Sequence, residues 1–204
     1  MLKEFIWDFD GTLYDTYTIM LDAFMQTLKD YGVDAKRAEI YRLLKSESSA
    51  SVAAKYNLDF AEFSEIFQNY ERQDQRVPVS YEGTKAMLES IVKQGYNNYI
   101  YTHRTVASTK ELLEREGMLH LFAEIVGPEN KFPRKPDPAG VTYLVDKFQL
   151  NPIQTVMIGD RPMDIGAGKN AGVKTIFYDL EQLLPNVEAD YTVRSIAEMV
   201  ALIK

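Results

Sequence analysis

Along the chain the apolar positions change their period twice. Phe5, Ile6 and Trp7 form a short apolar run that the turn signal Gly11-Thr12 ends, so residues 2–9 are predicted to be a buried strand. Over residues 17–31, Ile19, Met20, Ala23, Phe24, Leu28 and Tyr31 recur at the spacing of one helix face, and Gly32 stops it. A second helix is predicted over 35–45, with Ile40, Leu43 and Leu44 inward, and Phe60, Phe63, Ile66, Phe67 and Tyr70 mark a third. Residues from about 16 to 80 therefore read as all-helical. After Val77-Pro78-Val79, helix and strand patterns alternate: helix 84–93, strand 96–101, helix 107–116, strand 124–126, a helix from Asp137-Pro138 to about 148, strand 155–158, a glycine-rich helix 165–171 and strand 174–178. Five strands separated by helices are the signature of an α/β fold, a parallel sheet covered on both faces. The expected organisation is a core of residues 1–15 and 80–204, interrupted by a helical domain of residues 16–79.

A length of 204 residues suits one domain with such an insertion. The net charge of −7 removes the general attraction to phosphate backbones, so no nucleic-acid partner is expected. There is no cysteine, which excludes disulfides, thiolate nucleophiles and cysteine-ligated metals, and two histidines cannot build a histidine-rich metal site. Any metal must be held by oxygen. No run approaches 18 apolar residues, and the first ten carry acids where a leader would need its apolar stretch. The expectation is a cytoplasmic protein with no membrane partner.

In an open parallel sheet, sites lie beyond the carboxyl ends of the strands. There the first strand delivers Asp8-Phe9-Asp10-Gly11-Thr12 and the second Thr102-His103-Arg104. The loop after the third contains Arg134-Lys135-Pro136-Asp137, and the fourth strand leads into Gly159-Asp160-Arg161-Pro162-Met163-Asp164. Asp8 and Asp10, two apart in extended backbone, turn to the same side, so that one can attack while the other handles protons. Asp160 and Asp164 lie one helical turn apart where a helix begins. Capping that helix explains one of them but not both. With Asp8 they supply hard oxygen ligands that suit Mg²⁺. Lys135, stiffened between Pro133 and Pro136, is a compact cation able to neutralise clustered carboxylates or a phosphate oxygen.

Taken in order, Asp8-Phe9-Asp10-Gly11-Thr12-Leu13-Tyr14-Asp15, Thr102, Lys135-Pro136-Asp137-Pro138 and Gly159-Asp160-x-x-x-Asp164 resemble the four motifs of the haloacid dehalogenase-like hydrolase superfamily. The helical insertion is similar to the cap of its phosphoglycolate phosphatase and β-phosphoglucomutase branch. The resemblance implies a Rossmann-like core with an inserted all-helical cap domain. It also implies a Mg²⁺-dependent phosphatase acting on a small phosphorylated metabolite, as a monomer or homodimer. Asp8 would be the nucleophile that forms an aspartyl-phosphate, and Asp10 the general acid and then base. Mg²⁺ would be held by the Asp8 carboxylate, the Asp10 backbone carbonyl and Asp160, with Asp164 as a ligand or directly behind one. Thr102 and Lys135 would hold the phosphate.

Many relatives carry asparagine after the second-motif hydroxyl, whereas this chain has His103-Arg104. Both are counted with the substrate-binding residues, Arg104 as a clamp for a planar anion. In the cap, Tyr14 to Tyr17 form a hinge, and Arg42, Lys45 and Lys55 are the cations within reach of a substrate. Asp10 argues against haloacid dehalogenases and phosphonoacetaldehyde hydrolases, which lack an aspartate there. A β-phosphoglucomutase-like phosphomutase keeps all four motifs and differs in the cap. A non-catalytic binding protein on the same fold would have lost a motif residue, and none is lost.

Overall fold

The apolar stripes of the central segment close on one another. A computed structural model describes residues 1–203, and the chain divides into two units, one of Met1–Tyr14 with the residues from Val79 onward, the other of Asp15–Pro78. In the second unit, α1 (Tyr17–Asp30), α2 (Arg37–Ser46), α3 (Ser49–Lys55) and α4 (Phe60–Gln73) surround Phe24, Phe63 and Phe67. The rings of Phe24 and Phe67 stack 4.3 Å apart. Helix α3 escapes the periodicity reading because it buries only Val52 and Ala53, too few to display a stripe. Its start is set by the Ser48 hydroxyl, which accepts the Ser51 N–H, and Asp59 caps α4 through the Glu62 N–H in the same way.

The first unit begins with β1 (Glu4–Trp7), and the two-residue strands β2 (Tyr14–Asp15) and β3 (Val79–Ser80) mark where the chain leaves and returns. Its sheet contains β1, β4 (Asn97–Tyr101), β5 (Phe122–Val126), β6 (Thr155–Gly159), β7 (Lys174–Tyr178) and β8 (Tyr191–Val193), in the order β5-β4-β1-β6-β7-β8. All neighbours are parallel, with Trp7 in register with Ile100 on one side and Ile158 on the other. The sixth strand, β8, is an addition to the five predicted, since three residues are too short to show an alternation. Asp190 ties it down, its carboxylate accepting the Thr175 N–H and hydroxyl and pairing with Lys174.

Side-chain alternation along β1 sets the layers. Phe5 and Trp7 pack with Ile100 and Ile158 against α5 (Thr84–Lys93), α6 (Val106–Arg115) and the C-terminal α9 (Ile196–Ile203). Ile6 points the other way and packs with Tyr99, Tyr101 and Met157 against α7 (Ala139–Phe148) and α8 (Pro162–Asn170). Helix α8 starts three residues before its predicted position because Pro162 occupies its first turn and Asp164 accepts the Arg161 N–H. Among the described residues no helix is long and apolar enough to cross a membrane.

Several polar side chains are buried in this unit, among them Thr84, Asn98, Thr109, Thr155 and Thr175. Asn98 is buried between β1 and its helices, its Oδ1 accepting the Trp7 Nε1–H at 3.0 Å and its Nδ2 donating to the Leu121 carbonyl at 3.2 Å. Replacing Asn98 by Ala leaves a buried indole N–H and a carbonyl without partners, so Asn98→Ala is expected to cost about 1–3 kcal/mol of stability. Urea unfolding of the two proteins checks it.

Candidate active site

The ladder of the parallel sheet runs one residue past its apolar strands and presents the polar ones. Asp8 donates its N–H to the Ile158 carbonyl at 2.8 Å, and Thr102 donates to the Val126 carbonyl at 2.9 Å. Immediately beyond Asp8 the chain folds into a tight turn in which the Phe9 carbonyl accepts the N–H groups of Thr12, Leu13 and Tyr14. Gly11, at φ +80°, supplies the left-handed conformation this turn requires. Phe9, Leu13 and Tyr14 are buried, and the Phe9 and Tyr14 rings stack 4.5 Å apart. The turn is thus rooted in the core on both sides of Asp10.

At the bottom of the rim, carboxylate oxygens of Asp8, Asp160 and Asp164 lie within 4.8 Å of one another, all three residues buried. The Lys135 ammonium stands 2.5 Å from Asp8 Oδ1, 2.6 Å from Asp164 Oδ1 and 3.1 Å from the Tyr101 carbonyl. Thr12 donates its hydroxyl to Asp160 at 3.3 Å. Tyr101 also reaches the loop that carries Lys135, its hydroxyl donating to the Pro133 carbonyl at 3.2 Å. Gly159 is a packing requirement here: a Cβ on it would lie 2.2 Å from Cβ of Asp164.

Three buried carboxylates against one ammonium leave an excess of negative charge. Burial pushes the Asp8 carboxyl up to about 8, with Lys135 opposing and Asp164 and Asp160 adding to the rise. Lys135 is buried too, which disfavours its charge, but Asp164 and Asp8 hold its pKa above the ordinary lysine value. An all-oxygen, buried and over-negative donor set fits a hard divalent cation, with Asp8, Asp160 and Asp164 as the side chains able to hold it.

The remaining sequence candidates sort differently. Asp10 stays outside this cluster and is only partly buried; its Oδ1 accepts from Arg104 Nε at 2.9 Å and pairs with Nη2 at 2.8 Å. Arg104 also donates to the Ser108 hydroxyl, and its backbone N–H to Thr102 Oγ1 at 3.0 Å, which leaves the proton of the buried Thr102 hydroxyl to donate. The guanidinium expected to clamp a ligand therefore holds a carboxylate of the protein itself. His103 has partners the sequence did not supply: Nε2 accepts the Lys135 N–H at 3.1 Å, and Nδ1 faces Arg134 Nη2 at 3.0 Å. Burial and the cations Lys135, Arg134 and Arg161 push its pKa down to about 2, so the ring is neutral. Sequence reasoning missed the service of Gly159 and Ser108; a glycine directly before Asp160, with Asp164 one helical turn on, was the available signal for the former.

The cap cations belong to the other unit. Arg42 is exposed, Lys55 pairs with Glu39, and Lys45 is buried with its ammonium 4.9 Å from the centre of the Tyr17 ring. Asp15 accepts the N–H and hydroxyl of Thr18 at the start of α1.

The haloacid dehalogenase-like hydrolase family matches residues 5–178. A phosphoglycolate phosphatase of Psychrobacter arcticus is 29% identical over 186 residues, 84% of this chain and 80% of the relative. The pyrophosphatase PpaX of Bacillus velezensis is 27% identical over 202 residues, 95% of this chain and 93% of the relative. Among solved structures, a hydrolase from Streptococcus pneumoniae TIGR4 is 32% identical, with a TM-score of 0.65, covering 90% of this chain and 98% of the other.

If the carboxylate cluster binds a divalent cation, MgCl₂ at a hundred times its Kd should raise the Tm by roughly 5 °C or more. Gly159→Ala, which displaces Asp164, and Asp160→Asn should each remove most of that rise. Differential scanning calorimetry with and without MgCl₂ checks it, and equal rises in all three proteins would sink the assignment.

Proposed function

Because the chain belongs to the haloacid dehalogenase-like hydrolase family, we propose that it is a Mg²⁺-dependent phosphatase that hydrolyses a small phosphorylated metabolite through an aspartyl-phosphate on Asp8. The observation that carries this reading is the buried Lys135 ammonium between Asp8 and Asp164, with Asp160 alongside, at the carboxyl-end rim. The relatives named for phosphoglycolate and pyrophosphate point to substrates of that size. The helical insertion, residues 16–79, is then a cap that chooses the leaving group, set into a core of 1–15 and 80–204.

In this reading Asp8 Oδ attacks phosphorus and the bond to the leaving oxygen breaks, while Asp10 gives that oxygen a proton. Asp10 next takes a proton from water, the water oxygen attacks the phosphoaspartate, and inorganic phosphate leaves with the Asp8 carboxylate restored. Lys135 bridges Asp8 and a phosphoryl oxygen, and the Thr102 hydroxyl donates to another. Arg104 keeps Asp10 aimed by holding Oδ1 from two nitrogens. Asp8, Asp160, Asp164 and the Asp10 carbonyl would hold Mg²⁺, which when bound would offset the repulsion between an anionic nucleophile and an anionic phosphoryl group.

Hydrolysis of p-nitrophenyl phosphate tests the reading. Asp8→Asn should fold, by circular dichroism, and lose turnover, since the amide cannot accept a phosphoryl group; turnover within a few-fold of the parent would remove Asp8 as nucleophile. Asp10→Asn should lower kcat by about 10²–10⁴, the size of a general acid–base contribution. EDTA should silence the enzyme and Mg²⁺, but not the larger Ca²⁺, should restore it.

A further inference from the structure

Beside Asp8, the His103 ring stands between two hydrogen-bond donors. Both ring nitrogens of His103 face groups that can only donate, the Lys135 backbone N–H at 3.1 Å and the Arg134 guanidinium at 3.0 Å. A neutral imidazole has one nitrogen lone pair and one N–H. It can accept from one neighbour, and its own N–H then confronts the other. Protonation would set donors against donors on both sides, in keeping with the depressed pKa of this ring. Since Lys135 N–H is fixed in the backbone, the consistent arrangement is Nε2 accepting from it, with Nδ1–H and the Arg134 fork pointing toward one shared space.

An anionic oxygen in that space would accept from both Nδ1–H and Arg134 and remove the mismatch. Arg134 is exposed, so its guanidinium is open to a ligand, and a planar fork matches a carboxylate or phosphate. Lys135 links the cluster to the nucleophile: His103 holds its backbone, and its ammonium touches Asp8.

We propose that His103 and Arg134 form a subsite for a second anionic group of the substrate. The preferred substrate then carries a carboxylate or a further phosphate a few bonds from the phosphorus that Asp8 attacks. This inference rests on the phosphatase reading and narrows it: simple alkyl phosphates are poor substrates, and the discrimination is built into the core unit.

Binding of phosphonates that resist hydrolysis tests it without using turnover. Isothermal calorimetry at fixed free Mg²⁺ compares 3-phosphonopropionate, methylenediphosphonate and propylphosphonate, which share the phosphoryl mimic and differ in the second group. The parent protein is expected to bind one of the first two about tenfold or more tighter than propylphosphonate, the factor that a charge-assisted hydrogen bond carries. Preference for 3-phosphonopropionate assigns a carboxylate, and preference for methylenediphosphonate a phosphate. Arg134→Gln should shrink the preference severalfold, and Arg134→Lys, which keeps the charge without the fork, should retain part of it. Binding of all three within twofold by the parent would overturn the subsite. So would an equal weakening of all three in the variants, which would make Arg134 a brace for the Lys135 loop. An intact preference in a protein that fails to hydrolyse p-nitrophenyl phosphate would support the subsite and overturn the phosphatase reading instead.

Discussion

A single ammonium group, Lys135 Nζ, sits between two buried carboxylates, and the geometry of the rim depends on it. Without it, Asp8 and Asp164 would meet as like charges in a medium that screens them poorly. With it, three separate stretches of chain are drawn to one point: the end of β1, the first turn of α8, and the loop that follows β5. Removing one member of such a buried pair typically costs about 3–5 kcal/mol because an uncompensated charge stays behind. The glycine before Asp160 belongs to the same constraint, since only a residue without Cβ lets Asp164 lean back over the strand to meet the lysine.

Around this negative well the polarity reverses. Arg104 pairs with Asp10, and the exposed Arg134 faces His103, which holds the Lys135 backbone. An anion approaching from solvent meets cations first and carboxylates last. That order suits the proposed reaction, in which an anion would be attracted to the rim and handed to a nucleophile of the same sign, with a hard cation offsetting the repulsion.

Much of this was legible before any coordinates. The alternation of strand and helix implied a parallel sheet, such a sheet has its site at one rim, and Asp8, Asp10, Asp160, Asp164, Lys135 and Thr102 stand at the places where strands end. What could not be read depends on chain segments far apart in sequence. Arg104 and Asp10 are 94 residues apart, and nothing local to either announces that they pair. The partners of His103, Arg134 and the Lys135 backbone, arrive from the loop after another strand. Asn98 read as an ordinary strand residue although it satisfies a buried tryptophan, and β8 was too short to carry a period. Periodicity reports which face is apolar, and is silent on which polar groups meet.

Tyr101 gives the lysine loop its last property. Its carbonyl receives the Lys135 ammonium, its hydroxyl reaches the Pro133 carbonyl, and its ring lies 5.1 Å beneath the same ammonium. Gly140 leaves it room, since a Cβ there would fall 2.4 Å from the ring. One rigid aromatic side chain thus grips the loop at both ends, and the lysine has little rotamer freedom left to lose when an anion arrives. In phosphoryl transfer the solvent-like response of the surroundings, the turning of dipoles to meet charge as it moves, is a large part of the barrier in water. In the proposed reaction the cation already stands where the charge would be, so that share of the barrier would have been met when the chain folded.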